Sequence, residues 1–346
     1  MLKRTAIAGL AGCLSFALLA PLAHADDFYK GKQIRMIVGS GAGGGYDAYA
    51  RLMARHWGDF IPGNPTFVVQ NMPGAGSLNA MNHLAQSGAD DGTMIGQVQN
   101  HIAVEPLLGV TGPVENMKFD GRKMQWLGSA SKEKPLVVVW KTTPVNSFED
   151  LLKTEILVGS SGVATSDSVY ARVLNTLAGT RFKVVEGYKN LPELSAAMER
   201  GEIAGRVGWF WSSLATTKGQ WVDNEEVKIL AQLASEKEPA LPNVPLVSDF
   251  IKDPVKRAQL EFSVSWLQMG RPFVAPPGVP EARVEMLRKA FMDAINSPEL
   301  QADAKKMRMI IDPMSGKEVQ ELVDKLYRTP KEVIDAVREV MISPKK

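Results

Sequence analysis

The chain has 346 residues, 45% hydrophobic and 23% charged, with a formal net charge of +2. At roughly 150 residues per domain, two lobes with a sizeable core are expected. Scattered charge near neutrality gives no support to nucleic-acid binding.

Residues 1–25 read as a secretory signal peptide and are set aside from the fold. Lys3 and Arg4 open it, Ala6 to Leu22 is nearly all apolar, and Ala23-His24-Ala25 fits a small-x-small cleavage site. The apolar run is short for a membrane span. Leu10-Ala11-Gly12-Cys13 also matches a lipoprotein processing box, yet a lipidated cysteine should precede a polar tether and Leu14 to Leu22 stays apolar. Cleavage after Ala25 and a periplasmic protein are the expectation. Cys13 is the only cysteine, so the cleaved chain is stabilised by its core rather than by disulfides.

Gln33 to Val38 reads as a buried strand. Gly39 to Gly45 then places five glycines among seven residues. Tyr46, Tyr49, Ala50, Met53, Trp57 and Phe60 recur at helical spacing and predict an amphipathic helix. Pro62-Gly63-Asn64-Pro65 ends it, and Thr66 to Gln70 is the next strand. A second glycine turn, Pro73-Gly74-Ala75-Gly76-Ser77, leads with Ser77 as cap into a helix through about Gln86. Asp91-Gly92 precedes a third strand, Thr93 to Gln97. Strand–helix alternation with short turns implies parallel pairing with right-handed crossovers.

A second α/β unit follows Gly128. Leu136 to Trp140 and Glu155 to Val158 read as strands, Ser160 to Ser168 as a small-polar turn, and Val169, Val173 and Leu177 as one helix face. Phe182 to Val185, a helix Glu193 to Arg200 bracketed by Pro192 and Gly201, and strand Val227 to Gln232 complete it. The prolines from Pro239 to Pro280 suit a crossing between lobes. The tail is helical, with caps at Ser297-Pro298 and Thr329-Pro330 and a capping box of Ser315 with Glu318.

Glycines let bare N–H groups approach a ligand, and a helix start aims its positive dipole end at an anion. Two such turns in one lobe suggest a site for a carboxylate or another oxyanion. Gly39, Gly41 and Gly44 formally fit the dinucleotide fingerprint, but the second strand ends in Gln70-Asn71 without the acidic residue a ribose needs. No Gly-x-Ser-x-Gly elbow is present. His56, His83 and His101 show no metal-ligand spacing and read as structural, so neither a metal nor a cofactor is expected.

In order along the chain, Gly43-Gly44-Gly45-Tyr46-Asp47 with Ala50-Arg51-Leu52, Gln70 to Gly76, Asp91-Gly92-Thr93, Gly159-Ser160-Ser161-Gly162, Gly187-Tyr188-Lys189, Leu241 to Pro245 and Ala275 to Pro280 form a specific series. It resembles the TctC-like extracytoplasmic solute-binding receptors of the tripartite tricarboxylate transporter family, the Bug proteins. The resemblance covers essentially the whole chain after the signal. It implies an α/β, two-lobed periplasmic binding protein of the type II-like, Venus flytrap kind, each lobe a mostly parallel sheet flanked by helices.

By that resemblance, residues 26–130 and 233–346 form lobe 1 and residues 131–232 form lobe 2, with two crossings as the hinge. A small organic acid binds between them. Gly44, Gly45, Tyr46 and Asp47 form the first loop, and Gly74, Ala75, Gly76 and Ser77 the second. Ser161, Gly162, Ala164, Thr165 and Ser166 form the opposing wall, with Tyr188 nearby. Asp47 is expected to cap its helix or accept turn amides rather than touch the anion. The implied partner is the membrane permease, and the implied state is a monomeric, non-enzymatic receptor. Competing readings are a secreted enzyme holding a phosphate-bearing cofactor and a ligand sensor for a signalling partner.

Several residues depart from the family pattern. Ser40-Gly41-Ala42 replaces common prolines, Tyr46 replaces a frequent Thr at the cleft mouth, and Val163 to Ser166 lacks a second Gly-Ser pair. Gly208-Trp209-Phe210-Trp211 is unusually aromatic. Tyr46 with Trp209 or Trp211 is expected to shape the pocket for a larger or ring-bearing acid, against the alternative that both tryptophans pack in the core.

Overall fold

The computed structural model describes residues 28–86 and 90–342. The signal peptide, its cleavage site and Cys13 lie outside the described residues. The first unit runs β1 (Gln33–Val38), α1 (Gly45–His56), β2 (Thr66–Asn71), α2 (Leu78–Gln86), β3 (Met94–Gln97), α3 (Glu105–Leu108) and β4 (Gln125–Ser129). The second runs β5 (Pro135–Trp140), β6 (Ile156–Ser160), α4 (Ser166–Leu177), β7 (Phe182–Glu186), α5 (Leu191–Glu199), β8 (Gly205–Phe210), α6 (Trp211–Asp223) and β9 (Val227–Gln232). The chain returns through α7 (Pro254–Ser265), β10 (Pro272–Ala275), α8 (Glu281–Ile295), α9 (Pro298–Lys306), β11 (Met314–Ser315), α10 (Gly316–Tyr327) and α11 (Lys331–Met341).

Two sheets result, ordered β11-β4-β10-β3-β1-β2 and β7-β6-β8-β5-β9. In the first, β1 pairs in parallel with β2 on one side and β3 on the other. In the second, β6 pairs in parallel with β7 and β8. Successive crossovers that leave one strand in opposite directions open a crevice beyond its carboxyl end. The loops after β1 and β6 sit at those two switch points, which is why both turn sequences belong to the cleft.

The sheets are mixed where parallel pairing was expected to dominate. β10 runs antiparallel between β3 and β4, and β5 runs antiparallel between β8 and β9. The cause is connectivity: these are the strands on which the chain arrives from the other sheet rather than from a crossover helix. β10 hides in the proline-rich passage because Pro272 stands at its first position, where a strand tolerates it. β4 and β8 were unread because Gly128, Gly205 and Gly208 interrupt their apolar runs. Gly128 is needed there: a Cβ would lie 2.3 Å from the Phe291 ring.

Apolar periodicity sets the core as expected. Trp57 at the end of α1 stacks on Phe67 and meets Phe273 and Phe291 edge-on. Trp140, Trp209 and Trp221 make edge contacts beside the second sheet. Caps form at Ser297, which accepts from Leu300 N, and at Ser315 with Glu318. Pro330, not Thr329, holds the cap of α11. That helix packs on α3, α4 and α7, and Arg172 of α4 donates to Met341 O at 2.7 Å. The tail therefore ties to elements beside both sheets.

Candidate functional site

Between the sheets lies a cleft with two joined compartments. Ser40, Gly41, Gln99, Ser161, Thr165 and Lys189 line both. The inner one adds Gly44, Gly45, Tyr46, Ser166, Trp209 and Arg271 among others, and the outer one adds Gly74, Ala75, Gly76, Gly162 and Ala164. The starts of α1, α4, α5 and α6 all reach the inner compartment, so positive dipole ends converge from both sides.

The first loop is held from behind. Asp47 Oδ2 accepts from Gly43 N at 2.9 Å and Arg51 Nε at 3.0 Å, and Oδ1 accepts from Asn71 Nδ2 at 2.9 Å. Asn71 also donates to Ser40 O at 3.0 Å. Burial raises the Asp47 pKa, but Arg51, the Gly43 amide and Asn71 outweigh it and hold the carboxyl below its ordinary range. Asp47 is buried and lines neither compartment. Gly44, the cap of α1, has no side-chain cap bond, which leaves the first amides of the helix without an intrachain partner.

The second loop is a left-handed turn. Gly74, Ala75, Gly76 and Ser77 have φ of 131°, 44°, 57° and 77°. Two of these are not glycine, and strain of about 1–3 kcal/mol per such residue persists only where surroundings fix it. Ser77 supplies that fixing. Its buried Oγ donates to Gly39 O at 2.8 Å and accepts from Gln99 N at 3.0 Å, tying the loops after β1, β2 and β3 together. Ser77 was expected to cap α2; its hydroxyl makes no such bond and lines no part of the cleft, because positive φ turns it inward.

Across the cleft, Gly162 N donates to Ser160 Oγ at 3.2 Å and Thr165 Oγ1 donates to Gly162 O at 2.9 Å. Thr165 caps α4 without a side-chain bond to it. Tyr188 packs in the apolar cluster of the second sheet and lines neither compartment. Trp209 lines the inner compartment, whereas Trp211 packs with that cluster. Tyr46 is not at the mouth. It is 9% exposed, donates to Gly270 O and accepts from Asn100 N, each at 3.2 Å, and burial drives its hydroxyl pKa far up.

Four first-loop and second-loop glycines touch the opposing elements directly. A Cβ would meet Lys189 O at 3.1 Å from Gly41, Pro192 Cγ at 3.4 Å from Gly43, Ser213 Oγ at 2.7 Å from Gly45 and Ala164 O at 2.6 Å from Gly76. These glycines therefore allow the two walls to close on each other as well as on a ligand.

Sequence reading missed the charged residues of the site. Arg271, 1% exposed, donates from Nε to Glu133 Oε1 at 2.6 Å and from Nη2 to Ser212 Oγ at 2.8 Å. Its guanidinium lies 4.3 Å from the Tyr46 ring centre. Arg206 meets Asp167 at 2.7–3.0 Å. Arg206 is a lone charge inside the otherwise apolar β8, and Arg271 stands directly before the apolar β10, which is the signal that could have found them. His101 and Glu105 stand behind the second loop. Burial lowers His101 to about 4 and, despite hydrogen bonds from Thr111, raises Glu105 to about 7. Among the described residues, no cluster of His, Cys, Asp or Glu could hold a metal.

A family model described as the tripartite tricarboxylate transporter family receptor matches residues 62–338. The chain belongs to that family. Relatives include a UPF0065 protein of Bordetella pertussis, 23% identical over 82% of this chain and 83% of the relative. Another, from Agrobacterium vitis, is 27% identical over 82% and 78%. Solved structures share the receptor's fold at low identity. The periplasmic binding protein BugD has TM-score 0.71 at 18% identity, over 91% of this chain and 100% of that one. The R. palustris protein Rpa4515 with adipate gives 0.70 at 18%, over 90% and 99%. MatC from Rhodopseudomonas palustris with bound malate gives 0.68 at 17%, over 89% and 99%. The receptor is thus a two-lobed binding protein with mixed sheets, and no helix among the described residues is long and apolar enough to cross a membrane.

Proposed function

We propose that this receptor captures a carboxylate-bearing organic acid in the periplasm and passes it unchanged to the permease of a tripartite tricarboxylate transporter. The observation that carries the reading is the pair of uncapped loops after β1 and β2, whose free amides line a cleft between the two lobes. Family membership and two similar structures solved with adipate and malate support it.

In this reading the amides at Gly44, Gly45, Tyr46, Ala75 and Gly76 grip one carboxylate, with Gly74 shaping their turn. Asp47 and Ser77 position the loops from behind. Ser161, Gly162, Ala164, Thr165, Ser166 and Trp209 form the wall that closes on the guest. The lobes are residues 26–130 with 233–346, and residues 131–232, and α11 adds a tie across them. Each hydrogen bond to a charged group contributes about 1.5–3 kcal/mol. After ordering and desolvation costs, micromolar binding, about −8 kcal/mol, is the expected scale. The ligand favours closure because it contacts both walls only in the closed form.

Thermal-shift screening of the purified receptor against organic acids tests this. At a hundredfold excess over Kd, a true ligand adds about 2.7 kcal/mol of stability and raises Tm by several degrees. A receptor that responds to no acid, or that turns one over, contradicts the reading.

A further inference from the structure

We infer that Arg271 is a positioning residue for lobe closure. With Glu133 and Ser212 it forms a buried latch across the hinge, and Tyr46 joins that latch to the first ligand loop. The inference takes the lobes as divided above and is independent of which acid is captured.

Arg271 stands in lobe 1, directly before β10, and Glu133 lies on the crossing between β4 and β5. Ser212 lies in the first turn of α6, in lobe 2. The side chains of Arg271 and Glu133 are 1% and 0% exposed, and Ser212 is buried with them. Arg271 Nε donates to Glu133 Oε1 at 2.6 Å. The Ser212 hydroxyl completes the set. It accepts from Arg271 Nη2 at 2.8 Å and donates to Glu133, whose two carboxylate oxygens lie 2.6 and 2.7 Å away. One hydroxyl of lobe 2 thus serves both charges of a pair that otherwise belongs to lobe 1 and the crossing.

Rings from both lobes enclose the same guanidinium. Its Cζ lies 4.3 Å from the ring centre of Tyr46 and 5.1 Å from that of Tyr49, both on α1. On the other side it lies 5.1 Å from Phe210, the last residue of β8. Tyr46 also meets Phe210 edge-on at 6.3 Å. Two aromatic departures noted in the sequence, Tyr46 and Phe210, are therefore accounted for by Arg271.

A fully buried ion pair is a poor source of net stability, because desolvation offsets the attraction, but it fixes one arrangement and is costly to break by halves. Here the burial comes from Tyr46 and Tyr49 on one side and from Ser212 and Phe210 on the other, and only the closed form supplies both. Opening withdraws the hydroxyl and one ring and lets water reach Nη2. The route to the ligand loop is short. The Tyr46 amide belongs to the uncapped start of α1, and the Tyr46 hydroxyl donates to Gly270 O, next to Arg271, at 3.2 Å. Gly45 beside it lies against Ser213, the neighbour of Ser212. A guest that orders the first loop orders the latch with it.

Spin-label distances between the lobes test this with no acid present. The labels sit at Lys183→Cys in β7 and Glu321→Cys in α10, both exposed positions, in a receptor that also carries Cys13→Ser. This parent should show the closed distance as a resolved population. Ser212→Ala removes the second-lobe hydroxyl and should lower the closed-to-open ratio about tenfold or more. Phe210→Leu removes the second-lobe ring, leaves every hydrogen bond of the latch, and should lower the ratio about threefold or more. Both variants keep the Arg271–Glu133 pair, and if Ser212→Ala does not fold, Phe210→Leu decides. A parent without a closed population overturns the inference. So does a variant with the parent's distance distribution, even one that melts lower, because a merely structural contact shifts melting and not the distance. Acid capture is untouched by either result and is judged by titration alone.

Discussion

Gly45→Ala is the smallest perturbation that separates lobe closure from folding. A Cβ at Gly45 would stand 2.7 Å from Ser213 Oγ, 2.8 Å from Ser213 Cβ and 2.9 Å from Arg271 Nη2. Ser213 lies on α6, across the cleft, so its two contacts exist only when the walls meet, whereas the Arg271 contact lies within the first lobe. Overpacking of this kind costs about 1–3 kcal/mol. Charged to the closing step, that cost weakens affinity roughly 5- to 150-fold. Tm without ligand should fall by less than the affinity loss implies, because opening relieves the Ser213 contacts and leaves only the Arg271 one. Titration of the best acid from the thermal screen measures the loss. Adding Ser213→Gly removes two of the three clashing atoms and leaves only the end of the Arg271 side chain, so the double variant should recover most of the affinity. Normal binding by Gly45→Ala, or no recovery in the double variant, refutes the closure argument.

Other expectations concern the loops and the groups behind them. Ala75→Gly relieves a left-handed backbone at φ 44° and should raise the ligand-free melting point by an amount worth about 1 kcal/mol; a lower melting point would deny the strain. Ser77→Ala leaves Gly39 O and Gln99 N without their shared partner and should cost about 1–3 kcal/mol, read by denaturant unfolding, with weaker acid binding as the strained turn loosens. Unchanged stability would argue against the tie. His101, folded near 4 against an ordinary 6.5, makes stability rise with pH across that window. Glu105, folded near 7 against 4.5, makes stability fall with pH from 4.5 to 7. The two slopes, about 1.4 kcal/mol per pH unit each, oppose one another. Relative to wild type, His101→Gln should melt lower as pH rises through that range and Glu105→Gln should melt higher. Parallel profiles for all three proteins would contradict the burial of these groups.

The loops were legible because glycine runs at strand ends leave few alternatives to a tight turn into a helix. Gly39 to Gly45 and Gly159 to Gly162 mark the carboxyl ends of β1 and β6, and strand order then places both at switch points. Asp47 was legible for the same reason: its spacing from Gly43 permits the bond it makes. Tyr188 and Ser77 were misplaced because sequence position names a loop but not the direction in which a side chain leaves it. Arg206 and Trp209 were the least accessible pair. Period-two reasoning separates them, and only the bulge at Gly208 reunites them. The contact of Gly45 with Ser213 joins residues far apart in sequence, which no local pattern encodes.

The most direct test is the crystal structure of the receptor with the acid that most raises its Tm. A carboxylate is expected within hydrogen-bond distance of the Gly44 and Gly45 amides at the start of α1, with Ala75 and Gly76 on its flank. A ligand bound outside the cleft, or one whose neutral end faces α1, would contradict it.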